Sequence, residues 1–361
     1  MNKIAVMQKK RRLWYLTAFT CISLLSYLSV LIPPTVFWPA VFASYAIPGL
    51  LVLNALLFLF LIFFNRILIL FPLIGLIGGL PFVMLTYSIH PKIESEIREI
   101  DVLSYNAKLF RKAKMYEEFS GELIDWVAED SSDIKCIQEY STNSLWKPLD
   151  VTKKNLDQGY FGFTHAAAGT NTTHNPGLAI FSKFPIINRG VVWVSPGTFN
   201  DGIFADIKID RDTLRVYNVH LASMQLQLYQ YKNVENYPSK MKNLISRLKY
   251  GAERRYYQIE RLLEHAADSP YPFIICGDFN ETPYSYNYFE LKRNFSSAFE
   301  ESGNGFGFSL NSILFFLRID HQFYSPGIEA VSFSVDRSIN ISDHFPTRGV
   351  FKIEKSRNYP L

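Results

Sequence analysis

Three long uncharged stretches fill the first quarter of the chain and predict membrane-spanning helices. They cover residues 13–32, 41–64 and 67–89. A helix needs about 20 apolar residues to cross the hydrocarbon core of a bilayer. Pro33 and Pro34 end the first stretch, and Arg66 lies between the second and the third. The pattern therefore predicts an N-terminal anchor of three helices over residues 1–90. A cleaved signal peptide would explain the first stretch but not the next two.

The pattern changes after the third stretch. A polar segment over residues 91–99 predicts a linker, and short apolar runs then alternate with helical patterns. Strands are predicted at residues 100–105, 133–138, 177–182, 191–194, 202–209, 213–221, 271–276, 318–324, 330–335 and 347–353. Helices are predicted at residues 116–129, 252–267 and 286–294. Many strands with few, well-spaced helices favour packed sheets flanked by helices, in a domain over residues 100–354 that precedes a tail at 355–361.

Charge divides the chain in the same way. The chain has 37 lysines and arginines and 33 acidic residues, yet residues 1–90 contain six basic residues and no acid. The remainder is nearly neutral, so no basic tail or stripe marks it as a bulk nucleic-acid binder. The basic cluster at residues 9–12 predicts a cytoplasmic N-terminus, and three crossings then place the residues after 90 outside. If the third stretch were re-entrant, they would instead be cytoplasmic.

The remaining composition adds two exclusions. No Asp, Glu, Lys, Arg or His lies within an apolar stretch, so a transport path is not indicated. The three cysteines do not make a disulfide framework, and Cys136 and Cys276 lie in apolar runs typical of buried strands.

Side chains with metal-binding or acid–base chemistry recur at the ends of predicted strands and in three acid-bearing clusters near the C-terminus. They are Asn106, Glu139, His220, Asp278, Asn280, Asp320, Asp343 and His344. Each alone is compatible with an ordinary turn or a solvated side chain. Together, carboxylates, amides and imidazoles make a site for a hard metal with a general acid and base. Such a site suits attack of water on a phosphate ester.

The order of these residues resembles the endonuclease/exonuclease/phosphatase superfamily, over about residues 98–354. The matching segments are Ser104-Tyr105-Asn106, Ile137-Gln138-Glu139, Gly177-Leu178-Ala179-Ile180-Phe181-Ser182-Lys183, Asn218-Val219-His220-Leu221, Gly277-Asp278-Phe279-Asn280 and Ser342-Asp343-His344. The resemblance implies a four-layer α/β sandwich, with two mixed β-sheets face to face and helices outside. With its three-helix anchor, the chain looks like a bacterial membrane-anchored branch of the group.

The resemblance also implies a metal and a nucleophile. Glu139 would bind Mg²⁺, or Mn²⁺ as an alternative, helped by Asn106 or Asp343. Mg²⁺ prefers oxygen ligands and keeps several waters, so few protein ligands suffice. Asp278 would orient or deprotonate the attacking water.

The phosphate would be held and protonated by the remaining residues. Asn280 and Asn106 would bind phosphate oxygens. His344, partnered by Asp320, would stabilise or protonate the phosphoryl group, because a carboxylate behind an imidazole fixes its tautomer and raises its basicity. His220 would donate to the phosphate or to the leaving oxygen.

Some positions depart from the family pattern or stay loosely determined. His321 follows Asp320 where the family often has tyrosine. Asn171 lies where a substrate-contacting asparagine could sit. His165 and His174 have no metal-ligand spacing, which indicates structural or surface roles. His265 lies on the predicted helix 252–267 and is expected at the surface.

Three functions follow as hypotheses. The first is a membrane-anchored, metal-dependent phosphodiesterase or phosphatase on a lipid head group or small phosphoester, in a bacterial inner membrane with its catalytic domain in the periplasm. The second is an exported nuclease acting on DNA or RNA. It would need clustered cations, for which the candidates are Lys147, Lys153, Lys154, Lys240, Lys242, Arg247 and Lys249. The third is an inactive receptor, which is weak because every expected polar position is filled. The sequence implies no protein partner, and the segment 224–251 is equally compatible with a lid and with a surface excursion.

Overall fold

The fold was analysed in a computed structural model. It describes residues 3–91, 98–112, 115–141, 151–167, 176–223, 237–312 and 314–353. Most of the predicted linker, the tail after residue 354, Asn171 and His174 therefore lie outside the described residues.

The N-terminal quarter is helical. Its helices are α1 (Lys3–Leu28), α2 (Ala40–Tyr45), α3 (Ile47–Phe64) and α4 (Leu70–Thr86). Three segments, Val6–Leu31, Ile47–Phe64 and Arg66–Thr86, are long and apolar enough to cross a membrane. The predicted stretch 41–64 is divided after Tyr45, because Pro48 lies in the first turn of a new helix, where proline is tolerated.

The third stretch is shorter than the predicted 67–89. Its helix ends at Thr86 because Tyr87 takes an extended conformation. Ser88 then exchanges two backbone hydrogen bonds with Gly305, at N···O distances of 3.0 and 2.8 Å. The chain is thus hydrogen-bonded to the second domain two residues after α4 ends.

The second domain contains two six-stranded mixed sheets, which confirms the predicted fold class. Sheet I has the order β13 (Ile328–Val335), β14 (Thr347–Ile353), β1 (Ile100–Asn106), β4 (Ile134–Tyr140), β6 (Gly177–Ser182) and β5 (Phe161–Ala166). Sheet II has the order β11 (Ser296–Ser297), β12 (Asp320–Tyr324), β10 (Phe273–Asp278), β9 (Asp212–His220), β8 (Gly202–Ile209) and β7 (Ile186–Trp193). A separate ribbon joins β2 (Arg111–Lys112) to β3 (Met115–Phe119).

Helices cover the outer faces of the two sheets. They are α5 (Gly121–Glu129), α6 (Val151–Asp157), α7 (Tyr237–Ala267), α8 (Tyr286–Asn294) and the short α9 (Ala298–Ser302). Strand alternation decides which side chains reach each layer. In β4, Ile134 and Cys136 face the core between the sheets, whereas Ile137 packs beneath α5 with Leu123 and Val127.

Two predicted helices have different starts. The stretch predicted as a helix over 116–129 begins instead with strand β3, and α5 starts only after Ser120. The Ser120 hydroxyl accepts a hydrogen bond from the Leu123 N–H, a side-chain cap that fixes this start. Helix α7 begins at Tyr237, well before the predicted residue 252. Strand β5 and helix α6 were not predicted.

The ends of the apolar helices pack directly onto the outer side of sheet II. Phe82 of α4 contacts the rings of Tyr284 and Phe289 at centroid distances of 6.4 and 5.9 Å. The Thr86 hydroxyl lies 2.5 Å from the Tyr284 hydroxyl, and buried Arg318 donates to the Leu85 carbonyl at 2.7 Å. The second domain is therefore fixed against the helix ends by apolar and polar contacts.

Candidate functional site

Two pairs of parallel strands bring the predicted site residues to one edge of the sandwich. In sheet I, β1 runs parallel to β4, so that Asn106 lies beside Gln138. In sheet II, β10 runs parallel to β9, so that Asp278 lies beside His220. Because the sheets pack face to face, the carboxyl ends of all four strands meet at this edge.

Local backbone irregularities aim the side chains inward. The pairing of β4 with β6 shifts register between Ile137 and Tyr140, and Glu139 in this bulge has a φ of +45°. Asn280 has a φ of +49°. Left-handed backbone at non-glycine residues costs free energy and concentrates at functional sites. Gly277 has a φ of +151°, and a Cβ there would lie 1.9 Å from the Val219 carbonyl oxygen, so this position requires glycine.

Asn106 links the two sheets at the site. Its side-chain amide donates to Glu139 Oε1 at 3.3 Å and to Asp278 Oδ2 at 3.0 Å. Its Oδ1 accepts from the backbone N–H of Lys108 at 3.0 Å, which fixes the orientation of the amide. Asn106 thus holds one carboxylate from each sheet in place.

His220 faces the same two carboxylates. Its Nδ1 donates to the Phe199 carbonyl at 3.0 Å, so its Nε2 points into the site. This Nε2 lies 3.6 Å from Asp278 Oδ2 and 3.9 Å from Glu139 Oε1. In the neutral ring the inward nitrogen is an acceptor, and protonation converts it into a donor.

His344 approaches Asp278 from the opposite side. Its Nδ1 lies 2.9 Å from Asp320 Oδ2, and its Nε2 lies 3.6 Å from Asp278 Oδ2. Burial lowers the pKa of His344, but the Asp320 and Asp278 carboxylates together raise it well above its usual value. Burial raises the pKa of Asp320 against the opposing effect of His344. The pair therefore holds a proton inside a buried site.

Asp343 and Asn280 occupy the rim. Lys108 Nζ contacts Asp343 Oδ2 at 2.7 Å. Burial raises the pKa of Asp343, but the charges of His344 and Lys108 hold it below its usual value. The Asn280 backbone N–H donates to Asp278 Oδ1 at 2.8 Å, and its side-chain amide donates to the Leu221 carbonyl at 3.0 Å.

The structure therefore brings eight of the nine predicted site residues together, while the ninth, Asn171, lies outside the described residues. Lys108 was not predicted, although it lies only two residues after Asn106, in the short 3-10 turn Lys108–Phe110 that follows strand β1. Buried Arg255 was not predicted either. Its guanidinium contacts Glu281 at 3.1 Å and the Ala222 carbonyl at 2.8 Å, joining the loops that follow β9 and β10.

The donor set fits a divalent cation. Ligand atoms of Asp278, Asp320 and His344 lie within 4.8 Å of one another. Glu139, with 25% of its side chain exposed, adds a carboxylate that a bound ion could reach. Burial raises the pKa of Glu139, and His220 opposes this shift. Clustered carboxylate oxygens suit Mg²⁺ or Mn²⁺, and a cation would offset their mutual repulsion.

His321, at the position that departs from the family pattern, lies behind the site. Its Nε2 donates to the Glu281 carbonyl at 2.9 Å, and its ring packs against Phe279 and Tyr288. Burial, assisted by the charge of Arg318, lowers the pKa of His321 to about 3, so the ring is neutral. It supports the loop that carries Asn280 rather than the chemistry.

Two other histidines are structural. His165 Nε2 contacts the buried Asp201 at 3.1 Å, as its lack of metal-ligand spacing indicated. The expectation that His265 is a surface residue was wrong. Its Nδ1 lies 2.9 Å from the Tyr217 hydroxyl and its ring packs against Phe204, because α7 turns this face toward sheet II.

Several solved structures have a fold similar to that of this chain. One is described as an endonuclease/exonuclease/phosphatase from Beutenbergia cavernae DSM 12333. It is 13% identical, with 71% of this chain and 72% of that chain covered and a TM-score of 0.54. A functionally unknown conserved protein from Enterococcus faecalis V583 is 17% identical over 71% of this chain and 100% of its own, with a TM-score of 0.51. An endonuclease/exonuclease/phosphatase family protein from Leptotrichia buccalis C-1013-b is 16% identical over 71% of this chain and 100% of its own, with a TM-score of 0.50.

Family models match both parts of the chain, whereas no curated protein matches it. Residues 9–86 match a domain of unknown function, DUF8431. Residues 103–344, more than half of the chain, match the model described as the Endonuclease/Exonuclease/phosphatase family. With the two-sheet fold and the carboxylate–histidine site, this match shows that the chain belongs to the endonuclease/exonuclease/phosphatase family.

Proposed function

We propose that this protein is a membrane-tethered, divalent-metal-dependent hydrolase of phosphoesters, and that a lipid head group or a small phosphoester is its substrate. The observation that carries the proposal is the position of Asp278. Its Oδ2 lies 3.6 Å from Nε2 of both His220 and His344. A carboxylate beside two imidazoles can orient a water and accept its proton.

The metal would be Mg²⁺, or Mn²⁺, bound by Glu139 with Asp343 beside it. Asn106 turns its amide nitrogen toward Glu139 and Asp278, so it would orient these carboxylates rather than bind the metal. When bound, it would polarise the phosphoryl group and neutralise developing charge, a contribution of several kcal/mol. Asp278 orients and deprotonates the attacking water, while Asn280 holds a phosphate oxygen at the rim.

The two histidines would stabilise negative charge on the phosphoryl and leaving oxygens. His344, kept protonated by Asp320, donates from Nε2 to the phosphoryl oxygen. His220 would act on the phosphate or the leaving oxygen through Nε2, because its Nδ1 is already committed to the Phe199 carbonyl. Positioned donors in a buried site stabilise the transition state more strongly than they would in water.

The three apolar segments support tethering to a bacterial inner membrane, and the basic cluster at residues 9–12 supports a cytoplasmic N-terminus. The catalytic domain would then lie in the periplasm. A reporter that works only in the periplasm, fused after His90, is expected to be active. A signal from a cytoplasm-only reporter would refute this orientation.

The alternative is a nuclease, since the fold serves phosphoester chemistry generally. It would need a cationic groove that tracks phosphates. Among the described candidates, Lys153 and Lys154 contact Asp157 and Asp125, and Lys249 Nζ lies 3.7 Å from Glu253. The residues outside the anchor are nearly neutral overall, which favours the smaller substrate.

Purified full-length protein with Mg²⁺ distinguishes the two. It would be assayed against phospholipids, sphingolipids, inositol phosphates, and single- and double-stranded DNA, with Asp278→Asn as the matched inactive variant. We expect hydrolysis of a lipid or small phosphoester that falls by about 10³-fold in the variant. Preference for DNA over every lipid would overturn the substrate proposal in favour of the nuclease.

A further inference from the structure

A cavity of about 480 Å³ lies between the apolar helices and the loops of the site. One wall comes from the start of α3 with Pro48 and Gly49, and from Thr86 at the end of α4. Tyr284, Phe308 and Leu317 of the second domain also line the cavity. This volume lies within the range of about 300–1,000 Å³ that is usual for small-molecule sites.

Part of the cavity wall belongs to the proposed site. Asn280 and Ile319 both line it. The Asn280 backbone N–H donates to Asp278 Oδ1 at 2.8 Å, and Ile319 directly precedes Asp320. The cavity wall therefore includes the residue that hydrogen-bonds the Asp278 carboxylate and the residue that precedes Asp320.

The outer end is bordered by exposed apolar side chains beside the ends of the candidate membrane spans. Phe315 is 65% exposed and Phe316 is 49% exposed, and Leu314, Phe316 and Leu317 contribute to the cavity wall. Large exposed aromatic side chains are unfavourable in water and favourable in a bilayer interface. Their place next to Thr86, the last residue of α4, puts the cavity mouth at the level where that helix would leave the bilayer.

We infer that this cavity binds the hydrocarbon chain of a membrane-resident amphiphilic phosphoester, whose phosphate then reaches Asp278 and His344. The inference rests on the proposed function and names its substrate class. None of the described residues that line the cavity is charged, so the cavity offers no ion pair to a polyanion. Each methylene group of a hydrocarbon chain, by contrast, is stabilised there by its removal from water. Continuity from the membrane helices to the site lets the head group react while the chain stays out of water.

Gly49 offers a direct test. A Cβ at this position would have no heavy atom within 4 Å, so a larger side chain can enter the cavity without displacing its walls. Gly49→Phe fills the cavity from α3, and Gly49→Leu does so with a smaller side chain. Val52→Phe, one turn along the same helix at a position that is 59% exposed, is the matched control outside the cavity.

The probes are methyl and hexadecyl 4-nitrophenyl phosphate, which share one phosphodiester and one leaving group. Full-length protein in detergent with Mg²⁺ is expected to hydrolyse both and to prefer the hexadecyl ester. In Gly49→Phe we expect kcat/KM for the hexadecyl ester to fall at least about tenfold, while the methyl ester changes less than about twofold. Val52→Phe should behave as wild type with both esters.

The outcomes separate the inference from the proposed function. Equal values of kcat/KM for the two esters in wild type, or an equal change for both in Gly49→Phe and Gly49→Leu, would overturn the chain-binding cavity and leave the hydrolase intact. Failure of the wild type to hydrolyse either ester would overturn the proposed function, and the cavity assignment with it.

Discussion

Replacing His344 by alanine is expected to lower kcat for phosphoester hydrolysis by about 10²–10⁴-fold, the usual contribution of a positioned general acid. The variant loses the imidazole that bridges Asp320 and Asp278, whose contacts to the ring are 2.9 and 3.6 Å. The measurement is initial rate against substrate concentration with saturating Mg²⁺. Since the lost interaction belongs to the transition state, KM should change much less than kcat.

His265→Ala is the matched control for this result. His265 is also a partly buried histidine with a hydrogen-bonded ring, but its partner Tyr217 faces α7 rather than the site. Its kcat is expected to stay within about threefold of wild type. Wild-type kcat in His344→Ala would remove His344 from the mechanism, and Asp320→Asn should show an intermediate loss because Asp320 acts through His344.

Replacing Arg255 by methionine is expected to lower the free energy of unfolding by about 3–5 kcal/mol, since it leaves a buried carboxylate without its cation. Arg255 is fully buried, and its Nε lies 3.1 Å from Glu281 Oε2. The same guanidinium donates to the Ala222 carbonyl, and it lies 3.4 Å from the Tyr45 hydroxyl between the apolar helices. Denaturant unfolding of the full-length protein in detergent measures the loss.

Two further variants make this prediction specific. The double variant Arg255→Met with Glu281→Met removes both charges, and it should recover part of the lost stability because no buried charge remains unpaired. Arg261→Met removes an exposed arginine from the same helix, whose partner Glu264 is also exposed, and should change stability by less than about 1 kcal/mol. If Arg255→Met were as mild as Arg261→Met, the ion pair would not hold the site loops.

The sequence predicted those site residues whose positions follow from the local pattern of the chain. Asn106, His220 and Asp278 each end an apolar strand, and the carboxyl ends of parallel strands share one edge of a sheet. Gly277 was identified within its motif, and the structure gives the reason in the close approach of Val219. The spacing of strands and helices predicted packed sheets flanked by helices, and the resemblance to the family implied that there are two mixed sheets face to face.

Contacts between distant segments could not be predicted in this way. Lys108 and Asp343 are 235 residues apart, and Arg255 reaches Tyr45 across 210 residues. Strand β5 has largely exposed or half-buried side chains, so it shows little hydrophobic alternation. The cavity beside Gly49 arises where two parts of the chain meet, and no local pattern describes such a space.

The dependence of hydrolysis on a divalent ion tests the central claim most directly. The measurement is the release of 4-nitrophenolate from the methyl ester by wild type and Glu139→Gln, before chelation, after chelation and after Mg²⁺ is restored. We expect wild-type hydrolysis to stop on chelation and to return with Mg²⁺, while Glu139→Gln stays inactive at the same Mg²⁺ concentration. Wild-type hydrolysis that continues unchanged after chelation would contradict this claim.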